Sequence, residues 1–139
     1  MAGGVLLGTV ELQPVDAPLQ LPERFLPAFA GGGVLSAWLD GCLALWPLAA
    51  WSALADRIMT LPLSVADARS FNRLLFASAV EFDFNRGTVT VPAEQRAMAG
   101  LGERVLLVGA GDHAELWDPA RWATQAGRRL EDLDLPAAV

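Results

Sequence analysis

The chain has 139 residues, is 53% apolar, and carries ten basic against sixteen acidic side chains for a formal charge of −6. This suits one domain with its own core rather than two independent ones, and it repels polyanions at long range, so any nucleic-acid contact must come from a local arginine patch. A single cysteine (Cys42), a single histidine (His113) and the lack of lysine and tyrosine leave no basis for disulfide frameworks, zinc sites of the usual spacing, or Schiff-base and P-loop chemistry; no cofactor and no metal are expected.

Met1–Gly4 has no basic residue ahead of an apolar stretch, so no secretory signal is expected and a cytoplasmic location is the default. The uncharged apolar run between Asp40 and Asp56 contains Pro47 and is shorter than the roughly 20 residues of a membrane-spanning helix. From residue 19 onward the sequence matches itself at a shift of about seventy. Leu19-Gln20-Leu21-Pro22 answers Val89-Thr90-Val91-Pro92, each alternating as a half-buried strand does and each ending on a proline placed to begin a short helix. Those helices are predicted over Glu23 to Phe29 and Ala93 to Ala99. Val34 to Ala37 answers Val105 to Val108, each followed by a glycine-bearing turn and a second short strand. The hairpins close alike, as Leu45-Trp46 with Trp51 and as Leu116-Trp117 with Trp122. The tryptophans read as core anchors, and Asp118-Pro119 reads as an N-cap and first turn.

Between the copies, Ser64-Val65-Ala66-Asp67 spells a capping box in its carboxylate form and predicts a helix from about Val65 to Ala79. Arg69 and Arg73 lie four residues apart and share a face of that helix, either a solvated stripe or a phosphate contact. Phe82-Asp83-Phe84-Asn85-Arg86-Gly87-Thr88 predicts a tight turn projecting Arg86. The tail from Gly127 to Val139, with Glu131, Asp132 and Asp134 spaced by leucines, is either poorly ordered or a short docking helix.

Val105 to Ala114 contains the spelling G-x-G-x-x-A, but that fingerprint binds a dinucleotide only where it opens a helix inside a parallel βαβ unit. Here the chain runs at once into Glu115-Leu116-Trp117, a second strand, so a hairpin turn is predicted instead. His113 beside Asp112 reads as a solvated turn histidine, and Cys42, aligned with it in the first copy, as a small turn-flanking residue with no role. An enzyme would need His113 and Asp112 to line a closed pocket beside a nucleophile, and none is expected.

Gly8-Thr9-Val10, Leu21-Pro22, Leu43-Ala44-Leu45-Trp46-Pro47 with Trp51, Arg69 and Arg73-Leu74-Leu75, Ser78 to Asp83, Val91-Pro92, Val105 to Gly109, and Glu115 to Asp118 with Trp122 together resemble, in this order, the MraZ family. These are bacterial regulators associated with the division and cell-wall gene cluster. The resemblance implies an α/β chain of two AbrB/SpoVT-type swapped-hairpin β-barrel halves with short helices, related by a pseudo-two-fold: residues 5–60, a linking helix over 61–79, residues 80–126, and an acidic tail over 127–139. It further implies a ring-like homo-oligomer on double-stranded DNA at promoter repeats, nucleoid-associated, with Asp83, Asn85, Arg86, Gly87, Arg69 and Arg73 as the DNA-binding set. Two departures stand out. The first-half counterpart of the family's aspartate and glycine-arginine pair reads Pro14-Val15-Asp16-Ala17-Pro18, and the second half carries Arg86-Gly87 in reversed order. Neither half is basic: residues 1–70 hold three arginines against six acids, and residues 71–139 seven against ten. The alternative function is therefore an oligomeric protein-interaction module that has lost operator binding.

Overall fold

The computed structural model describes residues 5–12, 18–83 and 87–136. In chain order the elements are β1 (Thr9–Leu12), β2 (Leu19–Gln20), a 3-10 helix (Glu23–Phe29), β3 (Gly33–Ala37), a 3-10 turn (Leu39–Gly41) and β4 (Leu43–Pro47). Then follow α1 (Leu48–Met59), α2 (Ala66–Ser78), β5 (Val80–Phe82), β6 (Thr88–Val89), α3 (Ala93–Ala99), β7 (Val105–Gly109), β8 (Ala114–Trp117), α4 (Pro119–Ala126) and a last 3-10 turn (Leu130–Asp132). The repeat is thus visible as structure: strand, strand, short helix, hairpin and helix occur twice. Among the described residues no helix is long and apolar enough to cross a membrane.

Six strands make one antiparallel sheet in the order β1-β7-β8-β4-β3-β5. At its centre the equivalent strands β4 and β8 pair with each other, Ala44 opposite Glu115. At its edges the halves exchange strands, β1 of the first pairing with β7 of the second and β5 of the second pairing with β3 of the first. Neither half could satisfy its own edge alone, which makes the duplication a single folding unit. The expected closure into a barrel is not seen in this sheet, whose edge strands β1 and β5 do not meet. The strands β2 and β6 pair with each other as a separate two-stranded ribbon instead of joining it.

Period-two alternation sends side chains to opposite faces of the sheet, and each face has its own cover. Leu35, Leu43, Leu45, Leu107, Ala114 and Leu116 pack under the ribbon, the first 3-10 helix and α3 through Leu19, Phe25, Phe29, Val89, Val91 and Ala99. Val34, Ala44 and Trp46 point the other way, onto Leu54 and Ile58 of α1 and Leu75 of α2. Trp46 is buried, and its indole N–H donates to the Ser36 hydroxyl at 3.2 Å, so this core anchor leaves no orphan donor. Trp117 is the equivalent anchor in the second half and packs on Trp122 of α4 at 5.5 Å.

Local chemistry explains where the copies diverge. Glu23–Phe29 winds as a 3-10 helix because Pro27 has no N–H and its ring would collide with the carbonyl four residues back in an α-helix. Its counterpart has Ala97 there, is α-helical, and ends on Gly100 at φ +63°. Pro22 and Pro92 sit at the N-caps in extended conformation, one residue before the helices they were expected to open. Helix α2 starts from Val65, with no side-chain cap, so Ser64 does not serve the predicted capping box; a backbone bond from Arg69 N to Val65 O closes the first turn.

Helix α4 begins as the sequence predicts. The Asp118 carboxylate accepts the Arg121 N–H at 3.1 Å with Pro119 in the first turn. The Arg121 side chain then donates to the Gly41 carbonyl at 2.9 Å, tying the helix of one half to the hairpin of the other. Asp118→Ala should cost about 1 kcal/mol by loss of the cap. Urea unfolding followed by tryptophan fluorescence measures it, and an unchanged midpoint would show that the cap contributes nothing.

Candidate nucleic-acid interface

The candidate segment links an edge strand of the main sheet to the ribbon: β5 ends at Phe82, Asp83 follows exposed, and Gly87 leads into β6. Asn85 and Arg86 lie outside the described residues. The first-half counterpart, residues 13–17 between β1 and β2, lies outside them too. The two segments are topologically equivalent, each joining an outer sheet strand to one strand of the ribbon.

Gly87 is the best-defined member of the set. It is buried at φ +73°, and its carbonyl accepts from Leu21 N at 2.9 Å and from Gln20 Nε2 at 3.2 Å. A Cβ there would lie 2.8 Å from Gln20 Nε2 and 3.0 Å from Leu26 Cδ2. Glycine is therefore favoured at position 87 by its left-handed conformation, while a Cβ would also displace the ends of the Gln20 and Leu26 side chains. That accounts for the order Arg86-Gly87, since the left-handed residue anchored on β2 favours glycine and the arginine is the one before it.

Asp83 borders a shallow surface cleft with Gly31, Gly32, Gly33, Leu48, Glu81 and Phe82. Its two carboxylates give that cleft acidic character, unsuited to a phosphate. Arg69 and Arg73 are both exposed on α2, one turn apart as expected. Arg69 donates from Nη1 to the Leu63 carbonyl at 2.8 Å, which fastens the connection between α1 and α2. Helix α2 itself is seated on β3: the Ser78 hydroxyl accepts Ala37 N at 3.0 Å and donates to Leu75 O at 3.0 Å.

The structure corrects the reading of the second hairpin. His113 is 9% exposed and is no solvated turn histidine. Its ring stacks on Trp46 at 4.3 Å and meets Trp38 edge-on at 5.7 Å. One ring nitrogen lies 2.8 Å from Asp112 Oδ1 and the other 2.9 Å from Glu115 Oε2, while Trp117 Nε1 donates to Glu115 Oε1 at 2.9 Å. Burial alone would lower the His113 pKa, but hydrogen bonds and charge from Glu115 and Asp112 outweigh it and raise it. Burial likewise favours the neutral form of Glu115, yet its bonds to His113 and Trp117 hold the carboxyl below its usual range. The signal was present in the sequence: His113, Glu115 and Trp117 alternate along one strand face, the face that carries Trp46 on the neighbouring strand.

Cys42 is buried as expected for a small turn-flanking residue, and its thiol donates to Leu39 O at 3.3 Å. Desolvation, with Glu115 and Asp40 nearby, pushes the thiol pKa far up, so it stays protonated and unreactive. The glycine motif at 109–111 is a hairpin, as predicted, with Gly109 opposite Ala114. Gly109 N donates to Gly8 O at 2.7 Å, and Leu6 and Gly111 exchange two backbone bonds of 2.8 and 3.0 Å.

Comparison with known proteins agrees with this architecture. Residues 75–137 match the family model described as "MraZ protein, putative antitoxin-like". The "Transcriptional regulator MraZ" of Thermomicrobium roseum is 43% identical over 109 residues, covering 78% of this chain and 77% of that one. The proteins of the same name from Heliobacterium modesticaldum and Leuconostoc mesenteroides are 36% and 31% identical, covering 76% and 84% of this chain and 74% and 82% of theirs. With a 43% identical relative matched over three quarters of both chains, and with the duplicated, strand-exchanged fold behind it, the chain belongs to the MraZ family.

Proposed function

We propose that this chain is a sequence-specific DNA-binding transcriptional regulator, acting in the cytoplasm at the nucleoid as a homo-oligomer on promoter repeats. Its relatives' names support the regulator role. The observation that carries the contact site is the anchoring of Gly87, whose buried left-handed backbone is pinned to Leu21 and Gln20. A rigid anchor immediately after Arg86 limits the conformations the arginine must lose on binding. In this reading Arg86 contacts phosphate or a base edge, Asp83 and Asn85 shape the approach to it, and Arg69 and Arg73 add local positive charge against the net −6. Residues 5–60 and 80–126 act as two swapped-hairpin barrel halves joined by the linking segment 61–79, with 127–139 as an acidic tail. The exchange of β1 and β5 between the halves supports that division. Because a single protomer offers few cations, several copies on neighbouring repeats multiply weak contacts by effective concentration.

The test is a salt-titrated binding assay on the DNA upstream of the chain's own gene cluster against an unrelated duplex of equal length. Wild type should prefer the first, with affinity falling as salt rises. Arg86→Ala should weaken binding roughly tenfold or more and flatten the salt slope by about one per contacting protomer. An unchanged affinity would remove Arg86 from the site, and no binding by a well-formed oligomer would favour the protein-interaction alternative.

A further inference from the structure

The halves are related by a pseudo-two-fold, visible where equivalent strands pair. In the main sheet Ala44 stands opposite its equivalent Glu115, and in the ribbon Leu19 stands opposite its equivalent Val89. The ribbon is therefore centred on the Leu19–Val89 pair, and the surroundings of Gly87, where the second loop enters β6, recur at the other end, where the first loop enters β2. At the Gly87 end, Gln20 Nε2 donates to Gly87 O at 3.2 Å and to Leu21 O at 3.3 Å. Leu26 of the 3-10 helix is the other neighbour, its Cδ2 lying 3.0 Å from where a Gly87 Cβ would stand.

At the other end the repeat places an arginine. A shift of seventy carries Leu21 to Val91 and Leu26 to Arg96 of α3. Arg96 is half-buried, and its Nη1 donates to Val91 O at 3.0 Å. Its guanidinium thus holds the carbonyl equivalent to the one that Gln20 holds in the first half, which brings it to the β2 end of the ribbon. That bond uses one of the fork's five donors. The first loop, residues 13–17, contains no arginine of its own, whereas the second contains Arg86. Glu94 precedes Arg96 by two residues, about 200° around the helix, and lines the side of α3 that faces α2 instead. Between the two ends the ribbon carries Pro18, Gln20, Thr88 and Thr90 at its exposed and half-buried positions, with no carboxylate among them.

We infer that Arg96 is a second DNA-phosphate contact of this chain, supplying from α3 the cation that the first loop does not carry. This role rests on the DNA-binding reading above and enlarges its contact set. Arg86 and Arg96 serve opposite ends of one ribbon and meet different phosphates, with the duplex backbone crossing the uncharged strand face between them. Two local cations on one face are what a chain of net charge −6 needs to hold a polyanion. The bond to Val91 O holds the guanidinium in place, so less side-chain freedom is lost on binding. Each contact adds about 0.9 to the steepness with which affinity falls with salt.

Salt-titrated binding of full-length variants to the same upstream duplex tests it, with urea unfolding alongside. Arg96→Gln keeps an amide donor for Val91 O, as Gln20 provides for Leu21 O, but removes the charge. It should unfold at the wild-type midpoint yet bind roughly five- to tenfold more weakly, with a salt slope lower by about one per contacting protomer. Arg96→Lys should keep the slope. In the double variant with Arg86→Ala the losses should multiply and the slope fall by about two per contacting protomer. A wild-type slope for Arg96→Gln beside a reduced one for Arg86→Ala overturns the Arg96 contact and leaves the regulator reading standing. A double variant no weaker than Arg86→Ala alone does the same, because Arg96 would then act only through Arg86. A loss that Arg96→Lys shares, together with a lowered unfolding midpoint, overturns it as well by making Arg96 structural. Wild type that sediments as an oligomer and binds no DNA overturns this contact and the regulator reading together.

Discussion

Gly109→Ala is expected to lower stability by about 3 kcal/mol. A Cβ at position 109 would stand 2.5 Å from Leu7 N, 2.6 Å from Leu6 C and 2.7 Å from Leu6 O. All three are backbone atoms, so no rotamer change relieves the clash. The segment cannot retreat freely either. Gly109 N is bonded to Gly8 O, Leu6 is bonded both ways to Gly111, and the Leu6 side chain is 2% exposed in the core under the ribbon. Moving it away gives up a buried leucine, about 2 kcal/mol, and backbone hydrogen bonds of about 1 kcal/mol each. The control is Gly102→Ala, where a Cβ meets nothing within 4 Å and the change should stay within about 0.5 kcal/mol. Urea unfolding of both variants decides it. A loss below 1 kcal/mol for Gly109→Ala would mean that the first strand is not held by this contact. The same geometry commits the backbone N–H groups of the G-x-G spelling within the chain: Gly109 and Gly111 donate to Gly8 and Leu6, and Ala110 donates to His113.

How much of this was legible depended on whether a feature was set by local pattern or by distant neighbours. The duplication was readable because paired anchors such as Trp46 and Trp117 must recur wherever the same hairpin recurs. The Asp118-Pro119 helix start was readable because capping is decided within four residues. Ser64 misled for the complementary reason: a capping spelling is only a local offer, and the helix took its first hydrogen bond from Val65. The exchange of β1 and β5 was not derivable from periodicity, since alternation says which side of a strand is apolar and not which strand lies beside it. His113 was misread because, although Asp112 and Glu115 are near it in sequence, the Trp38 and Trp46 rings that bury it come from the other half of the chain. For the proposed contact segment Asp83–Gly87, the reason for a glycine at its last position came only with the left-handed, hydrogen-bonded backbone of Gly87.

Removing the Glu115 carboxylate should cost about 2–3 kcal/mol near pH 6 and distinctly less near pH 9. Glu115→Ala leaves the buried Trp117 indole N–H and one nitrogen of His113 without acceptors, each an uncompensated polar group in an aromatic surround. The pH dependence follows from the two titrations. His113 gains affinity for its proton on folding, so its contribution is fully present below the ordinary value of 6.5 and is lost as pH rises through the raised folded value. Glu115 loses affinity for its proton, so its contribution is present above the ordinary 4.5 and is lost as pH falls through the lowered one. Both hold between about pH 4.5 and 6.5, and wild-type stability should carry an excess over Glu115→Ala in that window that shrinks on the alkaline side. Glu115→Gln separates charge from hydrogen bonding. It can still accept from Trp117, so it should lose about 1 kcal/mol and show a flatter profile. Chemical unfolding at pH 5, 6, 7.5 and 9 reads all three chains, and a Glu115→Ala deficit of equal size at pH 6 and pH 9 would refute an ionic pair. The consequence reaches the helix that bears Arg69 and Arg73, because Trp38 sits between the His113 ring and Phe71 of α2 at 5.7 and 6.4 Å. Loosening the cluster removes support from beneath that helix, so Glu115→Ala should also increase amide hydrogen exchange in α2 before it unfolds the sheet.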